Sequence, residues 1–191
     1  MNTLKKELRQ KYRALRDSFG EEFIKNASKN ACENLQKCTE FQSADIILLY
    51  YPIKNEISPL GIFELCLKMG KKIAFPVCQT ETSDLVFRKV TSLHDLAPSD
   101  FGISEPSSDC EMITPTENTL CLVPALIFSK KGHRLGYGKG FYDRFLQNFK
   151  GKSAGFSYDA LLLDAIPYEI HDIPLDLIIT ESEVLKIAQK N

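Results

Sequence analysis

The chain is expected to fold as a single-domain α/β protein, a mostly parallel or mixed sheet with helices on both faces. Three observations carry that expectation. Short apolar runs alternate with amphipathic helical segments, the order in which parallel strands and their crossover helices arise. The runs ADIILLYY (44–51) and TLCLVPALIF (119–128) are apolar at nearly every position, as strands covered on both faces are. The length of 191 residues, with 43% apolar and 26% charged residues, suits one ordinary globular domain over 1–191.

Each element has its own signal. Leu4, Leu8, Tyr12, Leu15 and Phe19 recur every three or four residues, which predicts an amphipathic helix over 3–17. Ser18 ahead of Glu21 has capping-box spacing and starts a second helix over 20–38, with Phe23, Ala27, Ala31 and Leu35 inward. Residues 44–51 read as a buried strand that Pro52 ends. Ser58-Pro59 opens a helix and Gly70 closes it, because proline fits a first turn and glycine a C-terminal exit. Strands follow at 71–77 and 85–90, then an irregular stretch over 91–118 that contains Pro98, Gly102, Pro106 and Pro115. Residues 119–128 form a central strand, a glycine-rich loop follows, and FYDRFLQNF (141–149) is a short helix. Strands at 152–158 and 175–180 and a C-terminal helix complete the pattern.

Charge and cysteine usage narrow the classes. With 24 Lys+Arg against 25 Asp+Glu, the net charge of −1 offers no global field for nucleic acid or an anionic membrane. The N-terminal residues lack the apolar core of a signal peptide, and the longest nearly apolar run is too short to span a bilayer. The six cysteines include no C-x-x-C pair, so reduced, mostly buried thiols in a cytoplasmic protein are expected. Lys5, Lys6, Arg9, Lys11, Arg13 and Arg16 make the first helix strongly basic, which reads as a solvated face or, second, as a nucleic-acid-binding helix.

The stretch GHRLGYGKGFYDRFL (132–146) holds four of the chain's 10 glycines within nine positions. Such crowding marks a backbone path that side chains would obstruct. After a strand and before a helix, it can curl successive N–H groups into a nest for an anion, with the helix N-terminus adding partial positive charge. Arg134 and Lys139 supply formal charge, so a phosphate chain is the natural guest. The spacing matches neither G-x-G-x-x-G nor a P-loop, which places Ser or Thr directly after its Lys. Asp143, in the first turn of the helix, is either a helix-end charge or a Mg²⁺ ligand, and Asp172 in EIHDIPLD is a second candidate carboxylate.

At this point RLGYGKGFYDRFL resembles the signature of the 5-formyltetrahydrofolate cyclo-ligase (methenyltetrahydrofolate synthetase) family. The similarity continues through Lys5 and Arg9, NEIS, KKIAFP, FGISEP, LVPALIF and HDIPLDLIITE, in family order. The resemblance implies ATP-dependent conversion of 5-formyltetrahydrofolate to 5,10-methenyltetrahydrofolate with Mg²⁺, releasing ADP and phosphate. It implies an ATP site at Lys5, Arg9, Arg134, Leu135, Gly136, Tyr137, Gly138, Lys139, Gly140, Phe141 and Tyr142, with Arg134 and Lys139 acting on the transferring phosphoryl group. It implies a folate site at Tyr51, Glu56, Tyr137 and Phe141, and Mg²⁺ on Asp143 and Asp172. The helix over 3–17 would then form part of the nucleotide site. Reduced folate and ATP are the partners implied, with no nucleic acid, membrane or obligate protein partner. Phe141 stands where the family usually has Tyr, which keeps a ring and removes a hydroxyl. The competing readings are another nucleotide- or sugar-phosphate-using enzyme on a similar sheet, and a basic-helix RNA-binding protein.

Overall fold

The computed structural model describes residues 3–79, 81, 82, 84–99, 102–170 and 172–188. Phe101 and His171, each part of a stretch that carries the family resemblance, lie outside the described residues. The chain opens with helices α1 (Thr3–Asp17), α2 (Glu21–Lys37) and α3 (Thr39–Ser43), followed by strand β1 (Ile46–Leu48). A 3₁₀ turn (Leu60–Ile62) runs into α4 (Phe63–Lys68). The antiparallel pair β2 (Lys72–Cys78) and β3 (Leu85–Lys89) follows. Then come three short strands, β4 (Leu96–Pro98), β5 (Ser104–Pro106) and β6 (Met112–Ile113). Strand β7 (Thr119–Val123) precedes β8 (Ile127–Ser129), β9 (Arg134–Leu135) and helix α5 (Phe141–Gln147). The chain closes with β10 (Lys152–Phe156), β11 (Leu162–Leu163), β12 (Leu177–Ile179) and β13 (Val184–Lys186).

Eight strands form the main sheet in the order β13-β12-β10-β7-β1-β2-β3-β6. The five central strands, β12 to β2, pair in parallel, and the outer pairs are antiparallel. The mixed α/β expectation therefore holds. Alternation along each strand explains why the strands read as continuous apolar runs. Ile47, Leu49, Leu120, Leu122, Ala154 and Phe156 bury on the face covered by Ala27, Ala31 and Leu35 of α2. Ile46, Leu48, Cys121, Val123 and Ile178 bury on the opposite face, against Phe145 and Leu146 of α5. Each fully buried Leu, Ile, Val or Phe contributes about 1.5–3 kcal/mol.

Four local expectations are corrected. Ser18 does not cap α2; its hydroxyl donates to the Leu15 carbonyl, and Gly20 takes the N-cap position without a side-chain bond. The run 119–128 is two strands, because Pro124 lacks the N–H a continuing ladder needs; β8 turns off into a three-stranded sheet with β9 and β11. In place of a C-terminal helix, Val184–Lys186 pairs antiparallel with β12 and shields that strand's open edge. On α1, Leu4 and Leu15 face solvent, while Lys5, Leu8, Arg9, Tyr12 and Arg16 turn inward.

The thiols are free, as expected. Burial pushes Cys32 up to about 12 and Cys38, Cys66 and Cys78 up to about 11, so these groups stay protonated and inert. Among the described residues, no helix is long and apolar enough to cross a membrane.

Candidate functional site

Parallel strands leave their ligand crevice beyond their carboxyl ends. Here the segments leaving β1, β7 and β10 meet there, and Tyr50, Pro124, Ala125, Phe156 and Ser157 line a cavity of about 10 Å³, the space of one water. Arg16 and Glu56 give it a charged wall, and Tyr158 an aromatic one.

The glycine loop closes the site from one side. Gly132 does a different job from its neighbours: with φ +84° it turns the β8–β9 hairpin, and a Cβ there would sit 2.8 Å from the Leu175 carbonyl oxygen. The Leu175 N–H donates to the Gly132 carbonyl at 3.0 Å, which anchors the segment after Asp172 beside the loop. Gly138 (φ +97°) and Gly140 (φ +69°) hold the left-handed conformations that shape the loop itself. Arg144 of α5 fastens it by donating to the Lys139 carbonyl at 2.8 Å.

Arg134, only 5% exposed, leaves β9 towards α5. Its Nη2 lies 2.5 Å from Asp143 Oδ1, and its Nη1 donates to the Ile173 carbonyl at 2.9 Å. The guanidinium thus stands between Asp143 and the residue next to Asp172. Burial pulls it below its ordinary value, while Asp143, Cys121 and Asp172 act the other way.

Helix α1 supplies the second wall. Lys5 Nζ reaches Glu169 at 2.9 Å and Asp172 at 3.2 Å. Burial alone would lower the Lys5 ammonium; the two carboxylates outweigh it and hold Lys5 above its usual value. One turn on, Arg9 Nε donates to the Gly136 carbonyl at 2.8 Å, and its guanidinium lies against Gly138. Three turns from Lys5, Arg16 Nη1 lies 3.3 Å from Glu56 Oε1. The Tyr137 hydroxyl donates to the same oxygen at 2.5 Å, and the Ile53 N–H donates to Oε2 at 3.1 Å. Burial pushes the Glu56 carboxyl above its usual range, against the pull of Tyr137, Ile53 N–H and Arg16.

Most of the residues picked from the sequence are therefore neighbours. Lys5 meets Asp172, Arg9 meets Gly136 and Gly138, Arg134 meets Asp143, and Tyr137 joins the glycine loop to Glu56. Leu135 is buried, Tyr142 packs partly buried against the α5-side core, and the Arg144 guanidinium lies 5.7 Å over the Phe141 ring. Tyr51 packs partly buried against the other core. The side chain of Lys139 is exposed at the mouth of the loop. Asp143 and Asp172 are held by different cations, and no group of three or more metal-binding side chains is found among the described residues. Sequence reasoning missed Arg16, Arg144 and Glu169. Arg16 was within reach, since it lies eleven residues after Lys5 and seven after Arg9, on one helical face.

A family profile described as the 5-formyltetrahydrofolate cyclo-ligase family matches residues 1–181. The chain is 30% identical over 181 residues to a Haemophilus influenzae protein named 5-formyltetrahydrofolate cyclo-ligase, covering 92% of this chain and 97% of that one. An Escherichia coli protein of the same name is 28% identical over 182 residues, covering 93% and 98%. Among solved structures, the Aquifex aeolicus 5,10-methenyltetrahydrofolate synthetase superimposes with a TM-score of 0.86 at 33% identity, over 99% of this chain and 95% of that one.

Proposed function

The chain belongs to the 5-formyltetrahydrofolate cyclo-ligase family, and from that membership we propose how its residues divide the ATP-dependent conversion of 5-formyltetrahydrofolate to 5,10-methenyltetrahydrofolate. The glycine loop, with Lys5 and Arg9 from α1, takes the phosphates of ATP, and Tyr51, Glu56, Tyr137 and Phe141 take the reduced folate. The observation that carries this division is the 2.5 Å bond from Tyr137 to Glu56, which makes one loop a wall of both sites.

The formyl oxygen attacks the γ-phosphorus, the bond to the bridging oxygen of ADP breaks, and ADP leaves. The N10 nitrogen then attacks the activated formyl carbon, phosphate departs with the C–O electron pair, and N10 loses its proton, leaving the methenyl bridge. Phosphoryl transfer needs positioning and charge on the transferring oxygens more than covalent help. Arg134, already oriented by Asp143 and the Ile173 carbonyl, and Lys139, exposed at the loop mouth, supply that charge. Asp143, paired with Arg134, and Asp172, whose charge also acts on Arg134, are hard oxygen donors of the kind Mg²⁺ takes, one or two carboxylates beside phosphate oxygens. Bound there, Mg²⁺ would neutralise phosphate charge. Glu56 orients the ring of the folate by accepting from its N–H groups.

The test is the appearance of methenyl-folate absorbance from 5-formyltetrahydrofolate. Product is expected only when ATP and Mg²⁺ are both present, with ADP and phosphate released in step. Equal turnover in EDTA without nucleotide would overturn the assignment.

A further inference from the structure

The division above gives the phosphates of ATP to the glycine loop, Lys5 and Arg9, and leaves the base without a seat. Beside Lys5 stands an aromatic pair with no part in that division. The Tyr168 ring stacks on the His133 imidazole, with centroids 3.9 Å apart and planes 6° from parallel. The two rings come from the two segments that frame the phosphate region. His133 directly precedes Arg134, and Tyr168 directly precedes Glu169, which pairs with Lys5 at 2.9 Å. The imidazole covers one face of Tyr168, yet the residue is 58% exposed, so the face turned away is open to solvent. Ile170, on the other side of Glu169, is fully exposed. His133 Nδ1 is buried without a hydrogen-bond partner, so stacking, not a polar bond at that atom, places the ring. Burial lowers His133 below its usual value, with Arg134 and Lys131 helping and Asp172 opposing, which keeps the imidazole neutral near pH 7. Both rings are held before any ligand arrives. The Ser129 N–H donates to the His133 carbonyl at 2.8 Å. The Glu169 N–H donates to Asp172 Oδ2 at 2.8 Å, and the Asp172 N–H donates back to the Glu169 carbonyl at 3.0 Å.

We propose that Tyr168, backed by His133, is the platform on which the adenine of ATP stacks, while Lys5 and Arg9 hold the phosphates. The inference rests on the nucleotide reading above. A flat heteroaromatic base gains by stacking on a neutral ring, and a ring already stacked on its far side is fixed in orientation before the base arrives. Position selects the base of ATP over a ring of the folate. The folate residues Glu56 and Tyr137 gather at Arg16, eleven residues along α1 from Lys5, about 16 Å at 1.5 Å per residue. The platform belongs to the Lys5 end, next to the cations assigned to the phosphates. Stacking reads the area of a flat ring and not its edge, so the platform favours a purine nucleotide over the bare phosphate chain.

The test is equilibrium binding, without folate and at one Mg²⁺ concentration, of ATP and of inorganic tripolyphosphate, which keeps the phosphate chain and lacks the base. In Tyr168→Ala the affinity for ATP should fall roughly five- to a hundredfold, the worth of one base–aromatic stack, while that for tripolyphosphate stays within about twofold of the parent. Tyr168→Phe keeps the ring and should bind both ligands as the parent does. His133→Ala removes the backing and should weaken ATP in the same direction, by less. Tyr168 lies at the surface, so its two variants keep the fold, which an unchanged melting curve verifies, and they decide the matter if the His133 variant does not fold. Equal loss of both ligands in Tyr168→Ala, an unmoved ATP affinity, or a phenylalanine variant as weak as the alanine one would overturn the proposal. So would a loss confined to 5-formyltetrahydrofolate, measured separately on the same variant, since it would give the platform to the folate. A parent chain that binds neither ATP nor tripolyphosphate would instead overturn the nucleotide reading, and that failure shows before any substitution is made.

Discussion

Two cation–carboxylate clusters sit at opposite ends of α1, and water separates their roles. At the N-terminal end, Lys5, Glu169 and Asp172 have side-chain exposures of 11%, 52% and 16%. At the other end, Arg16 and Glu56 are 1% and 6% exposed. The pairing chemistry is the same. Near the surface such a pair is worth about 0–1 kcal/mol, so its partners can be exchanged for phosphate oxygens or a metal ion at little cost. In the interior, the two charges are tied to each other, and removing one strands the other. The Lys5 end of the helix is thus built for exchange, and the Arg16 end for a fixed pattern of donors and acceptors.

The largest effect should come from Glu56→Gln, which leaves Arg16 buried beside a neutral group. A loss of roughly 3 kcal/mol in urea unfolding is expected. A stability change below 1 kcal/mol would mean that the pair is hydrated in solution, and the contrast between the two ends would collapse. Asp143→Asn comes next, since it keeps shape and removes a candidate metal charge. Turnover should fall about tenfold at limiting Mg²⁺ and recover in part when Mg²⁺ is raised. As a helix-end charge alone, Asp143 would lose only about 0.3–1 kcal/mol of stability, with an unshifted Mg²⁺ requirement. The smallest effect belongs to Lys5→Met: at most about 1 kcal/mol of stability. Its KM for ATP should rise at low ionic strength, and the difference from the parent should shrink as salt screens the phosphates. A salt-independent difference would place Lys5 with the buried cluster instead.

The legible parts of the fold were those with a strong period or a strong breaker. The limits of α1 match the expected 3–17, and β2, β3 and α5 lie within a residue or two of their expected places. What failed was decided by distant partners. ESEVLKIAQK reads as helix because Glu, Leu, Lys, Ala and Gln all favour one, yet Val184–Lys186 is drawn into pairing by the open edge of β12. Ser18 had the right spacing from Glu21 but found the Leu15 carbonyl first. In the site, the glycine loop and Asp143 could be picked out because backbone geometry and local charge advertise them. Arg16 could not be told from Arg13 by composition; only the helical phase, together with the acid at position 56, separates a buried guanidinium from a solvated one.

The order of synthesis gives α1 a further significance. Its C-terminal end finds Glu56 only 40 residues later, but the polar anchors of the rest are Gly136, 127 residues after Arg9, and Glu169 and Asp172, 164 and 167 residues after Lys5. A helix of 15 residues is marginal in water without a surface to pack on. The Lys5 and Arg9 turns therefore dock only after the glycine loop and the segment carrying Glu169 and Asp172 exist to receive them. A nascent chain halted before residue 169 would carry Lys5 with neither carboxylate partner, so this end of α1 is fastened only once residues 169–172 have been made.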